Sequence, residues 1–223
     1  MVSRSAKQKA LVIAVDGPAA SGKGTIGRAL AEHFALPLMD TGLLYRAVAL
    51  NLWRWGGDPR SEFEAVRACD ELGFDPDDPE LRSEPVSKIA SMISAYGGVR
   101  EALLKRQQDF ALQPGGAVLD GRDIGTVIAP QAQVKLFVTA SPEVRARRRM
   151  HELEKRGMHA RYEDVLADIH SRDKRDSTRE VAPLRPAADA IMLDTSELDV
   201  DQSIAEAVRL VAGKIGRAGS NVG

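Results

Sequence analysis

The chain lacks what would mark a disulfide-stapled, membrane-spanning or strongly charged protein. Its 223 residues hold one cysteine, Cys69, so no internal disulfide can form; the thiol is expected to act as a small core hydrophobe in a reducing compartment. No uninterrupted apolar run approaches the length needed to cross a bilayer. The opening MVSRSAKQKALVIAVDG is basic and then apolar, as a signal peptide begins. Its apolar run is short and leads into a glycine-rich turn, so a cytoplasmic protein with no membrane partner is expected. The formal net charge of −1 gives no global reason to bind nucleic acid or an acidic surface. The four histidines, His33, His151, His159 and His170, show no tight metal-ligand spacing and are expected in surface or packing roles. There is no internal repeat. At this length the chain has room for a real core, and charge chemistry has to be local.

The local signal is GPAASGKGT, Gly17 to Thr25, directly after the apolar run Leu11 to Val15. A strand that stops at Asp16 and turns through Gly17 and Gly22 presents backbone N–H groups to an anion, and the following helix adds its positive end. Pro18, Ala19, Ala20 and Ser21 complete the loop. Lys23 brings a compact ammonium to the β and γ phosphates of a nucleoside triphosphate. The GxxxxGK spacing is a full phosphate-loop match, set between an apolar strand and a helical pattern as that motif requires. Where many such loops place a hydroxyl on Mg²⁺, this one has Gly24, with Thr25 one residue later. GKGT resembles the nucleoside monophosphate kinase version, in which the metal sits mainly on phosphate oxygens and water.

Five short apolar runs read as buried strands: Leu11 to Val15, Leu36 to Met39, Ala117 to Leu119, Val134 to Val138 and Ala190 to Leu193. Helical patterns separate most of them, which predicts a parallel sheet covered on both faces. The first, third and fourth runs end in Asp16, Asp120 and Thr139, and polar groups at the carboxyl ends of strands are expected to mark the ligand crevice. Two stretches interrupt the alternation. Gly56 to Gly98 contains FDPDDPELRSEP, whose prolines and acids break periodicity, and then the helix-like VSKIASMISAY. Arg145 to Arg179 holds nine Arg and two Lys against seven acids and reads as two helices around Gly157. The tail GKIGRAGSNVG is poor in apolar content and is expected to fray.

Phosphoryl transfer asks for cations and positioning more than for covalent chemistry. Arginines occur at four suggestive places: Arg46 after DTGLLY, Arg100 in VREALLKRQ, Arg122 in DGRD, and Arg172, Arg175 and Arg179 in SRDKRDSTR. A lone arginine is by default a solvated or salt-bridged surface group, but Arg122 follows a buried strand, where the crevice should lie. The Arg145, Arg147, Arg148, Arg149 run reads equally as a helix face paired with Glu143, Glu152 and Glu154, or as part of a mobile flap that shields a triphosphate from water. No general base is needed, because the second pKa of a phosphate monoester is near 6 and the attacking oxygen of a monophosphate acceptor is already ionised. Asp120 is followed by Gly121, not by the Glu that activates water in remodelling ATPases, and no NKxD segment reads guanine.

With GPAASGKGT, MDTGLLYR, REALLKRQ, LDGRDIGTVI and RDKRDSTREVAPL in view, the chain closely resembles the bacterial cytidylate kinases over roughly residues 10 to 212. The resemblance implies an α/β, P-loop nucleoside monophosphate kinase-like fold with a five-stranded parallel sheet flanked by helices. It implies one domain over 1–223: a core of about 10–55, 99–144 and 180–212, a monophosphate-binding excursion of about 56–98 and a lid of about 145–179. The implied reaction is transfer of the γ-phosphoryl group of ATP to CMP or dCMP, with Mg²⁺, giving CDP or dCDP plus ADP. Small-molecule nucleotides are the expected partners, nucleic acid is not, and a monomer is expected. The resemblance puts Gly17 to Thr25 on the ATP phosphates, Thr41 in the acceptor site, and Arg46 and Arg122 on the acceptor phosphate. Ser91, Arg100 and Asp123 fall where cytosine is read, Arg172 and Asp176 where the pentose is met, and Arg179 at the acceptor nucleotide or the transferring phosphoryl. Lys23, Arg122, Arg172 and Arg179 are the implied catalytic groups, and Arg148 is the lid arginine expected on ATP. No residue is expected to bind the metal directly, while Asp40 and Asp120 would order its waters or the arginines. FDPDDPELRSEP departs from the family in offering little for a sheet. The alternative is a kinase for another small acceptor, UMP, AMP or shikimate, against which Asp123 in DGRD speaks. A nucleic-acid binder using the Arg145 to Arg149 run is disfavoured by the near-neutral charge.

Overall fold

The apolar run LVIAVD becomes β1 (Leu11–Asp16), buried from Val12 onward and flanked on both edges by parallel strands. It lies at the centre of a five-stranded sheet in the order β2 (Leu38–Asp40), β3 (Gly116–Gly121), β1, β4 (Val134–Thr139), β5 (Ile191–Asp194). All pairings are parallel. A computed structural model describes residues 10–70 and 72–220 of the chain, without the side chains of 218–220. All five strands expected from apolar runs are present.

Alternation along β1 supplies both faces of the sheet, because successive strand residues point to opposite sides. Ile13 and Val15 join Val118, Leu136 and Val138 beneath α1 (Lys23–His33) and α8 (Val200–Ser220). Val12 and Ala14 join Ala117 and Leu119 on the other side, with Ala111 of α5 (Gly97–Ala111). Helix α8 continues to Ser220, so the expected fraying of the tail does not hold that far. Ile215 still packs on the sheet cluster, and burying that side chain offsets the cost of ordering the last turns. Residues 221–223, the rest of that tail, and the basic start at 1–9 lie outside the described residues.

The first irregular stretch folds without a strand among its described residues. Helix α3 (Glu62–Arg67), a 3₁₀ turn (Pro79–Arg82) and α4 (Glu84–Ile93) pack on α2 (Thr41–Arg54). Leu44, Val48 and Leu52 share one apolar cluster with Ala65, Leu81, Val86, Ile93 and Leu103. Cys69 sits at the edge of this cluster, where burial pushes its thiol up to about 11, in keeping with a packing role. The second irregular stretch is a pair of packed helices, α6 (Pro142–Glu154) and α7 (Tyr162–Thr178). Their small core of Ala146, Leu153, Val165 and Ile169 also touches Ala19 and Ala20 of the phosphate loop.

Candidate active site

The phosphate loop leaves β1 at Gly17, where the chain passes so close to β4 that a Cβ would lie 2.0 Å from the Val138 carbonyl oxygen. Only glycine fits there. At the far end Gly22 adopts φ 90° and starts α1 with no side-chain cap, so the first amides of α1 are left for an anion. Two carbonyls of the loop are held from outside. Arg145 Nη1 donates to Ala19 O at 3.2 Å and Arg148 Nη1 to Ser21 O at 3.2 Å. Arg148 also donates to Thr195 Oγ1 and Thr195 O at 2.9 and 2.7 Å. It therefore stands at the junction of the phosphate loop and the turn after β5.

Ala19, Ala20 and Gly22 to Thr25 line a cavity of about 470 Å³, with Asp40, Arg46, Asp120, Arg122, Arg149 and Arg172 on other walls. The Lys23 ammonium lies 3.6 Å from Asp120 Oδ1. Burial holds Lys23 below its ordinary pKa, assisted by the Arg122 charge. Burial likewise pushes Asp120 up to about 6, against the pull of Lys23. The Asp120 Oδ1 atom is buried without a hydrogen-bond partner. Asp40 caps α2, accepting from Gly42 N at 2.9 Å. Thr41 donates its hydroxyl to Asp120 O at 2.8 Å.

A second cavity adjoins the first and is lined by Thr41, Arg46, Ser91, Arg100, Arg122, Asp123, Arg172, Asp176 and Arg179 among others. Every residue assigned to the acceptor by the resemblance therefore reaches one cavity, although they come from α2, α4, α5, the turn after β3, and α7 with the residue following it. Asp123 is 4 % exposed and pairs through Oδ2 with Arg100 and through Oδ1 with Arg179 at 3.5 Å. Arg179 is held below its ordinary pKa by burial and by Arg100. Arg122 donates from Nε to Asp176 Oδ2 at 2.9 Å. Arg46 donates to Leu81 O and Ser87 Oγ at 3.3 and 3.2 Å, and its burial brings it down to about 10. Arg172 and Asp176 share α7 one turn apart, with Arg172 Nε 2.8 Å from Asp168.

Gly42, Arg46, Gly121, Arg122 and Arg172 line both cavities. Three guanidinium groups thus stand where a group passing from one compartment to the other would be, which suits the spread negative charge of a transferring phosphoryl.

Some strand-end expectations do not hold. Of Asp16, Asp120 and Thr139, only Asp120 lines either cavity. Asp16 is spent on backbone amides, Ile124 N and Gly125 N, and the Thr139 carbonyl accepts from Thr195. The Arg145 to Arg149 run is also not a uniformly solvated face. Arg145 is buried and bridges to Asp173 of α7, and Arg149 pairs with Glu84 of α4 as well as with the expected Glu152. Arg147 alone of the four is exposed. Ser91 accepts a hydrogen bond from Arg175 Nη1, a contact between the two irregular stretches that no local pattern announces. Tyr45, whose ring lies under Arg100 at 5.7 Å, and Ser87 are further lining residues that sequence reasoning passed over. Both sit on buried helix faces, and nothing in the local pattern separates them from ordinary core. Among the described residues, no three or more His, Cys, Asp or Glu side chains are grouped to hold a metal ion, and no helix is long and apolar enough to cross a membrane.

The family model for cytidylate kinase matches residues 13–213. A cytidylate kinase of Xanthobacter autotrophicus is 56% identical over 211 residues, which cover 94% of this chain and all of the relative. One from Azorhizobium caulinodans is 54% identical over 203 residues, covering 90% of this chain and 98% of the relative. Among solved structures, an uncharacterized protein from Eubacterium ventriosum superposes with a TM-score of 0.54 at 14% identity over 91% of this chain and 98% of its own. That likeness speaks for the fold alone.

Proposed function

The chain belongs to the cytidylate kinase family, and from that premise we propose how its residues divide the work of moving the γ-phosphoryl group of ATP to CMP or dCMP. The observation that carries the division is the wall of Arg46, Arg122 and Arg172 common to the two cavities. The cavity floored by the phosphate loop takes ATP, with Gly17 to Thr25 on the phosphates and Arg148 beside the loop. The other takes the nucleoside monophosphate, with Thr41 in its wall and Arg46 and Arg122 on the acceptor phosphate. Arg172 and Asp176 meet the pentose, and Ser91, Arg100 and Asp123 read the base. The acceptor oxygen is ionised at neutral pH, so these residues act by holding it in line, excluding water and balancing charge. Lys23, Arg122, Arg172 and Arg179 supply that balance.

Mg²⁺ fits this site as a hydrated ion held by the nucleotide. The buried Oδ1 of Asp120, which faces Lys23 but accepts no hydrogen bond, and the Asp40 carboxylate in the same cavity are suited to accept hydrogen bonds from its waters, as an ion that dehydrates reluctantly requires. When bound, it neutralises the phosphate charge that builds during transfer. We further propose a cytoplasmic monomer, with 56–98 as the acceptor-binding part and 145–179 as a lid.

Closure of that lid has a direct test. The connection from α6 to α7 carries exposed Arg156 and Arg161, and Arg156 reaches across to Arg82 O at 3.0 Å. Tryptic cleavage after these arginines is expected to slow several-fold when ATP and CMP are both present, because ligands that favour the closed form deplete the cleavable one. Equal cleavage with and without nucleotides would remove the lid from the reading.

The decisive test of the whole assignment is base selectivity. An ionised carboxylate only accepts hydrogen bonds, so Asp123 suits the N4 amino donor of cytosine and opposes the O4 acceptor of uracil. Although each Asp123 oxygen faces an arginine, a carboxylate oxygen has a second acceptor position free. Asp123→Asn is expected to lower CMP use and shrink the CMP-to-UMP ratio of kcat/KM at saturating ATP, by an amount on the order of 1–3 kcal/mol. Loss of both acceptors by one common factor would mean that Asp123 only orders Arg100 and Arg179.

A further inference from the structure

Asp16 ends β1 one residue before the phosphate loop, yet its carboxylate lines neither cavity. It is 4 % exposed and accepts from Ile124 N and from Gly125 N, each at 2.8 Å. Those two amides open the short π-helical turn Ile124–Ile128, whose N-cap residue is Asp123. The first amides of a helical turn have no partner within it, and an aspartate at the cap ordinarily turns its own side chain to them. Asp123 makes no such bond. Its carboxylate goes to Arg100 and Arg179 instead, and the cap arrives from a residue 108 positions away in the chain. The turn is built for that visitor: a Cβ on Gly125 would lie 3.3 Å from Asp16 Oδ2 and 3.1 Å from Lys135 Cδ, so glycine lets the carboxylate sit close.

We propose that Asp16 is a positioning residue for acceptor recognition: by capping this turn in place of Asp123, it frees the Asp123 carboxylate to stand in the acceptor cavity with Arg100 and Arg179. The inference rests on the reading that Asp123 contacts the acceptor base. Its physical content is a competition between two carboxylates for two buried amides. Asn at position 16 keeps the shape but turns an NH₂ toward one of the amides, leaving that N–H without an acceptor. Asp123, the N-cap residue of that turn, is then placed to satisfy it, and a carboxylate that swings to the cap leaves both arginines and the base. Although Asp16 adjoins Gly17, its carboxylate accepts from Ile124 N and Gly125 N on the acceptor side, so the consequence falls on CMP and not on ATP.

The test is a double-mutant cycle on the full chain with Asp16→Asn, Asp123→Asn and the double variant, assayed with CMP and UMP and checked by thermal melting. Asp16→Asn is expected to raise the KM for CMP about tenfold and to cut the CMP-to-UMP ratio at least about fivefold. The KM for ATP and kcat at saturating substrates should stay within about threefold, a split that general destabilisation does not produce. In the Asp123→Asn background the same change at position 16 should add almost nothing to the ratio, because the two act through one group. If Asp123→Asn by itself leaves the ratio and the CMP KM unaltered, the reading of Asp123 has failed and the proposal falls with it. If Asp123→Asn lowers the ratio while Asp16→Asn does not, or if the two effects add in full, the reading stands and the proposal alone is overturned. An equal rise in the ATP and CMP KM values also overturns it. Should Asp16→Asn not fold, Asp16→Ser, which keeps one acceptor oxygen in a smaller volume, carries the same comparison.

Discussion

Lys23→Ala is expected to cut phosphoryl transfer by at least about 10²-fold while leaving a folded protein. The ammonium stands at the floor of the nucleotide cavity, 3.6 Å from Asp120 and against the phosphate loop. Burial and the Arg122 charge hold its pKa below the ordinary value, so the site maintains a cation at an electrostatic cost that Asp120 and Asp40 offset in part and an anionic ligand relieves further. Removing a preorganised charge aimed at the transition state costs a factor of roughly 10²–10³, or about 3–4 kcal/mol. Folding should survive because Asp120, already raised to about 6 by burial, can take up a proton once Lys23 is gone, which avoids an uncompensated buried charge. Steady-state turnover and a thermal melt on the same sample check both halves. Turnover within a few-fold of the parent chain would sink the assignment of Lys23.

Arg122→Ala should be comparably severe, with a different signature. Its guanidinium lines both cavities while Nε is fixed by Asp176 at 2.9 Å, so it serves the acceptor phosphate in the ground state and the moving phosphoryl in the transition state. Both a higher KM for CMP and a lower kcat are expected, with kcat/KM down by about 10³. Arg122→Lys should recover only a small part. A lysine cannot keep the Asp176 bond and present a planar fork to phosphate oxygens together. A lysine variant equal to the parent would show that charge alone suffices there and that the Asp176 contact positions nothing.

Much of this site was legible along the chain because phosphate binding is a local device. Gly17, Gly22 and Lys23 lie within one turn between a strand and a helix, and the glycines are required by backbone geometry that a nine-residue pattern already encodes. The strands were legible for a similar reason. A central parallel strand is buried on both faces, so β1 reads as a continuous apolar run and β4 as one interrupted only by Lys135. Arg172 and Asp176 were readable as one face because helical periodicity places them one turn apart.

What a carboxylate or guanidinium does, by contrast, depends on which partner the fold delivers to it. Asp16 and Asp120 both stand at or near the ends of strands and are chemically alike, but one caps a distant turn and the other faces Lys23. Arg145 and Arg148 belong to one basic run and look interchangeable, yet each secures a different carbonyl of the phosphate loop. The order β2-β3-β1-β4-β5 decides the first of these, because it sets the turn after β3 beside the end of β1, and α7 meets that same turn where Arg122 donates to Asp176. Sequence by itself determined the apolar strands, the phosphate loop and the identity of the charged groups, all of which rest on contacts between near neighbours or on backbone sterics. Tertiary structure alone decided which charges pair and which are left for the nucleotides, since an ion pair between residues about a hundred positions apart has no periodicity to betray it.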